Sequence, residues 1–204
     1  MKNIVPVFFI SFFLLSFQSF AQDTIQLMNG KHIVANVVKT DDLFLKYRKH
    51  LTADTGNIVA IEKADVFSII YHNGQKSILY KQDTAKGYDF TTEQMNQYIL
   101  GEKDAFHYRP GFLLSVAGFA VGVTAGYAGV YGLAAVPVYS MFLGIIDPKI
   151  KPKKVSHPDL IGNKYYTRGY HTVTTKKRVI VGAISSLIGY TAMSSVYYYL
   201  INKK

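Results

Sequence analysis

With 204 residues, 49% of them apolar, the chain has room for one modest domain plus a membrane part, and it holds neither cysteine nor tryptophan. The missing cysteine excludes disulfides, thiolate metal sites and a cysteine nucleophile, though not an oxidising compartment. The net charge of +10 would suit a nucleic-acid binder, but residues 22–109 carry 11 basic and 11 acidic residues while 147–178 carry nine basic against two acidic, so there is no basic face on a folded domain and nucleic acid is not an expected partner.

Residues 1–21 read as a cleavable secretory signal. Lys2 supplies the positive start, Ile4 to Phe17 is almost unbroken apolar sequence, and Ser19 and Ala21 put small residues at the two positions a signal peptidase tests. The mature chain is expected to start at Gln22. No cysteine follows, so this is not a lipoprotein signal.

Residues 22–90 read as a small antiparallel β-domain outside the cytoplasm, either an SH3-like barrel or a twisted sheet. Period-two alternation runs through Thr24–Leu27, through Ile33, Ala35 and Val37, and through Leu43–Tyr47. Apolar runs follow at Ile58–Ile61, Val66–Tyr71 and Ser77–Tyr80. Asn29-Gly30 and Asn73-Gly74 are hairpin turn signals. Residues 91–110 read as a linking amphipathic helix: Thr91 and Gln94 have capping-box spacing, Met95, Tyr98, Ile99 and Ala105 make an apolar stripe, and Pro110 marks the end.

Residues 111–146 contain no charged side chain and form a glycine-rich transmembrane region. Gly118, Gly122 and Gly126 share one helical face at a spacing that lets two membrane helices touch backbones. Its length exceeds one crossing and barely suffices for two; a single crossing is preferred here, with a helical hairpin as the alternative. Residues 147–178 read as a basic loop and 179–201 as a second transmembrane helix, with Gly182, Ser186 and Gly189 as further packing positions and 202–204 as a polar tail. The fold expected is thus an α+β membrane protein with about two transmembrane helices. With the β-domain exported and one crossing in 111–146, the positive-inside rule favours a cytoplasmic basic loop and an exported C-terminus.

Chemistry is sparse in this sequence. Asp54-Thr55-Gly56 matches the aspartic-protease tripeptide, but no apolar strand precedes it and no second copy exists, so a polar turn explains it better. The histidines at 32, 50, 72, 107, 157 and 171 lack metal-ligand spacing, and no nucleotide-binding or nucleophile motif is present. No cofactor, metal or catalytic residue is expected. Lys149, Lys151, Lys153 and Lys154 form a basic run suited to anionic lipid heads, or simply to solvated topogenic charge.

The exported start, the two Asn-Gly hairpins, Gly101-x-x-Asp104-Ala105-x-x-Tyr108, the glycine-rich stretch and Tyr166-x-x-Gly169-Tyr170 together resemble a group of uncharacterised envelope proteins from Bacteroidetes. That resemblance implies a Gram-negative inner membrane with the N-terminal domain in the periplasm, and no activity. The function expected is a non-enzymatic envelope protein, its β-domain meeting a periplasmic partner and its helices serving as anchor or as a surface for a membrane protein. The alternative is a small oligomeric assembly, a channel or permeability factor, packed through Gly118, Gly122 and Gly126. Partners expected are membrane lipids, a membrane or periplasmic protein, and other copies of the chain.

Overall fold

The computed structural model describes residues 22–49 and 57–202. The signal-peptide reading, the Asp54-Thr55-Gly56 tripeptide and the tail lysines 203 and 204 lie outside the described residues. The chain divides into two compact units, residues 1–80 and 81–204.

The first unit is an antiparallel sheet of six strands: β1 (Asp23–Leu27), β2 (His32–Thr40), β3 (Phe44–Arg48), β4 (Ile58–Glu62), β5 (Val66–Ile70) and β6 (Lys76–Ile78), in the order β4-β3-β2-β1-β5-β6. Both Asn-Gly pairs make hairpins. Gly30 and Gly74 adopt positive φ of 74° and 81°, which a Cβ would oppose. The preceding asparagines accept hydrogen bonds from the amides of Lys31 and Gln75, closing each turn. β2 serves two neighbours: its first half, His32 to Ala35, pairs with β1, and its second half, Asn36 to Thr40, pairs with β3 across a ladder that carries a bulge between Val37 and Lys39.

Alternation sends Ile25, Leu27, Ala35, Leu45 and Tyr47 into one buried cluster, and a register shift in the β1–β5 pairing lets both Val66 and Ile69 of β5 join it. Asp23 is buried among them and satisfied, accepting from the amides of Val37 and His72 at 2.9 and 2.8 Å. β4 and β6 stand at the ends of the order, and among the described residues no pairing joins them. The architecture is therefore a six-stranded antiparallel sheet.

The second unit is helical: α1 (Thr92–Ala105), α2 (Phe112–Tyr127), α3 (Ala135–Ile145) and α4 (Lys164–Asn202). The capping box at the start of α1 forms, with Thr91 Oγ1 accepting from the Gln94 amide and Gln94 Oε1 from the Thr91 amide. α1 ends at Ala105, five residues before Pro110.

Two expectations are corrected here. Residues 111–146 are not one spanning helix: α2 and α3 are separate and joined by a 3-10 stretch, Gly129–Ala134. Glycine causes the break. Gly129 has a φ of 65°, and a Cβ on Gly132 would overlap the Ala125 carbonyl, so the chain doubles back more tightly than any other residue permits. Nor is 147–178 a loop throughout. From Lys164 it is helix, continuous with the apolar 179–201, and at 1.5 Å per residue the 39-residue α4 is about 58 Å long. Gly169 and the run Thr172–Thr175 are weak helix formers, but Tyr166, Gly169, Tyr170 and Thr174 fall on one face and are buried. Packing against α1 decides the conformation.

The residue pairs fix the direction of each helix. Gly118 lies against Gly182 and Ser185, Gly122 against Ser186 and Tyr190, and Gly126 against Tyr190 and Met193, so α2 runs parallel to the second half of α4. α3 returns antiparallel, with Leu143 against Gly182 and Gly144 against Val179, and Tyr139 donates its hydroxyl to the Leu114 carbonyl at 3.2 Å. The hairpin thus ends at the level where it began. Lys164–Leu200 is the one helix among the described residues long and apolar enough to cross a membrane by itself.

Candidate functional site

The glycines and serine singled out from spacing all lie at one seam. A Cβ on Gly122 would overlap the Ser186 carbonyl, one on Gly118 the Ser185 hydroxyl, one on Gly189 the Phe119 carbonyl, and one on Gly126 would come 2.7 Å from the Tyr190 carbonyl. Gly182 and Ser186 are buried in the same seam, and Ser186 Oγ bonds the Gly182 carbonyl at 2.8 Å. In this structure that face is occupied by α4 of the same chain. The outward faces are the reverse of a soluble protein's: Phe112 and Leu113 are each 80% exposed, and Met141, Ile145, Ile184 and Ile188 point outward as well. The hydroxyls of Thr124, Ser140, Thr191 and Ser195 bond carbonyls of their own helix.

The polar half of α4 meets α1 through two glycines and a buried carboxylate. Gly101 backs onto the Tyr166 carbonyl and Gly169 onto the Tyr98 carbonyl, each too close for a Cβ. This contact brings Asp104 to Tyr166. Its carboxylate accepts from the Tyr166 hydroxyl at 2.7 Å and from the amides of Ser156 and His157 at 3.0 and 3.1 Å, with His157 Nδ1 also at 3.1 Å. Burial alone would raise the Asp104 pKa, but these donors outweigh it and hold the group below its ordinary value. Glu102, two residues earlier, is the opposite case. Burial pushes it up to about 7, against the weaker help of the Tyr98 hydroxyl and Lys176, and its Oε2 has no hydrogen-bond partner.

At the boundary between the two halves of α4, consecutive cations close two helix ends. Lys177 Nζ donates to the carbonyls of Ala105, Phe106 and Tyr108 at 3.2, 2.6 and 3.1 Å, finishing α1. Arg178 donates to the Ile146 carbonyl, finishing α3. Both satisfy carbonyls that a helix C-terminus leaves without partners.

Beside this junction lies a cavity of about 470 Å³ bounded by Gly111 at the start of α2 and Pro148 after α3. Arg109, Lys149, Lys151 and Lys154 line it with His107, Tyr108 and Tyr170, and no carboxylate is among the lining residues. Of the four lysines read from sequence as a lipid-contact run, three converge here; Lys153 is exposed and does not line the cavity. A wider groove of about 700 Å³ on the flank of α4 mixes Lys164, Arg168 and His171 with the Asp147 carboxylate and has no single charge preference. Among the described residues no three His, Asp or Glu side chains gather as a metal site requires.

Sequence reasoning missed Arg109, His107 and Tyr170 as neighbours of the lysine run, since they come from other elements. It also missed the Asp104 network, although Asp104 and Tyr166 each stood in a short motif noted for resemblance. Comparison of the chain with protein-family models, with curated proteins and with solved structures gives no match.

Proposed function

We propose that this is a non-enzymatic, membrane-anchored protein of a Gram-negative envelope, seated in the inner membrane through α2, α3 and the second half of α4. Its sheet and its α1 cap stand in the periplasm and offer a surface to a protein partner. The observation that carries this reading is the hairpin: α2 begins and α3 ends beside Arg178, while apolar side chains face outward from there to Leu200. A surface of that kind is stable in hydrocarbon and costly in water.

The hairpin puts residues 147–178 on the side of α1. On this reading the β-domain is exported as well, because no apolar segment separates Tyr80 from Thr92. Our reading therefore reverses the orientation expected from charge, with the basic segment exported and the C-terminus cytoplasmic. Lys177 and Arg178 have structural work at that end, closing α1 and α3, so their charge is not only topogenic. For the partner, β4 is an edge strand with Ile58 and Val59 exposed, and Phe44 lies exposed on the adjoining β3. An unpaired apolar edge suits strand addition by another chain.

The test exploits the absence of cysteine. Single cysteines replacing Lys153 and Lys204 are probed with a membrane-impermeant maleimide on cells with a permeable outer membrane. Labelling at 153 and protection at 204 is the expected result; the opposite pattern rejects the orientation.

A further inference from the structure

The basic cavity at the helix junction has a ligand chemistry of its own. Tyr108 and Arg109 come from the segment after α1, Lys149, Lys151 and Lys154 from the segment after α3, and Tyr170 from α4. Elements far apart in sequence thus bring four cations to the lining of one space, with no carboxylate among the lining residues. Lys177 and Arg178 next to it are engaged by carbonyls; among the described residues no ion pair or side-chain hydrogen bond engages the four that line the cavity. All four are solvent-exposed, so water and salt screen their mutual repulsion, and an anion held among them would pair with several cations at once.

The cavity's position narrows the choice. It opens at the start of α2 and the end of α3, where polar and apolar surfaces of the unit meet, which is the depth of lipid phosphates when the helices are in a bilayer. Arg and Lys donors in the lining match the several acceptor oxygens of a phosphate.

We propose that this cavity binds a phosphate group, carried by an anionic phospholipid or by a soluble phosphate, with Arg109, Lys149, Lys151 and Lys154 as its cationic contacts. Assignment to lipid rests on the membrane reading above; recognition of phosphate does not.

The full chain, purified and placed in phosphatidylcholine nanodiscs, is titrated with phosphatidylglycerol in one arm and inorganic phosphate in the other, followed by native mass spectrometry and by thermal shift. A saturable response in the lipid arm alone assigns a lipid head group; saturation in the phosphate arm assigns a soluble ligand. In whichever arm responds, the pair Arg109→Gln and Lys149→Gln lowers affinity about tenfold or more, while Lys153→Gln, adjacent in sequence but outside the cavity, leaves it unchanged. Melting temperature without ligand shows that the variants fold. No saturable response in either arm, or equal loss with Lys153→Gln, overturns the proposal. Orientation in the cell does not enter this measurement, so its failure and failure of the labelling test are separate results.

Discussion

The Tyr166 hydroxyl donates to the Asp104 carboxylate at 2.7 Å across the junction of α1 and α4, and both residues are almost fully buried. The same carboxylate gathers two amides from the segment that precedes α4, so one acidic group ties together three parts of the chain. Asp104→Asn keeps the shape but loses charge-assisted bonds, and Tyr166→Phe removes one donor. We expect each to destabilise the purified protein by about 1–3 kcal/mol in thermal unfolding. Unchanged unfolding of both variants would remove this network as a determinant of the cap.

Acid should act through the same group. The folded pKa of Asp104 lies below its ordinary value, so the stability it contributes is complete above the usual carboxylate range and is lost as pH falls through the lowered folded value. A melting profile between pH 3 and 6 should decline toward acid in the parent and decline less in Asp104→Asn.

Glu102 has the reverse sign. Its pKa rises from an ordinary 4.5 to about 7, so the folded state favours the protonated group, and that contribution is present below pH 4.5 and lost as pH climbs to about 7. Glu102→Gln keeps the neutral shape at every pH. It should raise stability at pH 8 by about 2 kcal/mol, after allowing for solvent screening of a partly wetted group, and change little at pH 4.5. Equal melting of parent and variant across that range would show that Glu102 is not held in an unfavourable charged state.

The seam between α2 and α4 gives the sharpest steric test. A single methyl group at Gly122 meets the Ser186 carbonyl, so Gly122→Ala should lower stability by about 1–3 kcal/mol and reduce the amount in membranes. Ala120→Ile, on the outward face of the same helix, adds more bulk and should be tolerated. Similar accumulation of the two variants would show that the helices are not held backbone to backbone.

Lys177 closes the end of α1, with three carbonyls as its acceptors. Lys177→Met keeps the apolar stem and removes the donor. It should cost about 1–2 kcal/mol and increase hydrogen exchange at the last turn of α1, whereas Lys153→Met should do neither.

Local chemistry made much of the fold legible. Asn29-Gly30 and Asn73-Gly74 specify their hairpins because only a left-handed residue closes a two-residue turn, and Thr91 with Gln94 specifies the start of α1 because both caps are contained in four consecutive residues. Alternation identified the buried faces of β1 and β3, and the spacing of Gly118, Gly122 and Gly126 identified a face that touches another backbone. Tertiary structure decided what depends on contacts distant in sequence. Whether 111–146 forms one helix or doubles back rested on Gly132 packing against Ala125, and periodicity alone does not distinguish a continuous helix from two. That residues 164–178 are helix rested on burial of Tyr166, Gly169 and Tyr170 against α1, which overrides weak local propensity. The basic cavity is legible only in three dimensions: Arg109 comes from one segment and Lys149, Lys151 and Lys154 from another, and sequence reports their charge without reporting that the hairpin returns them to one place.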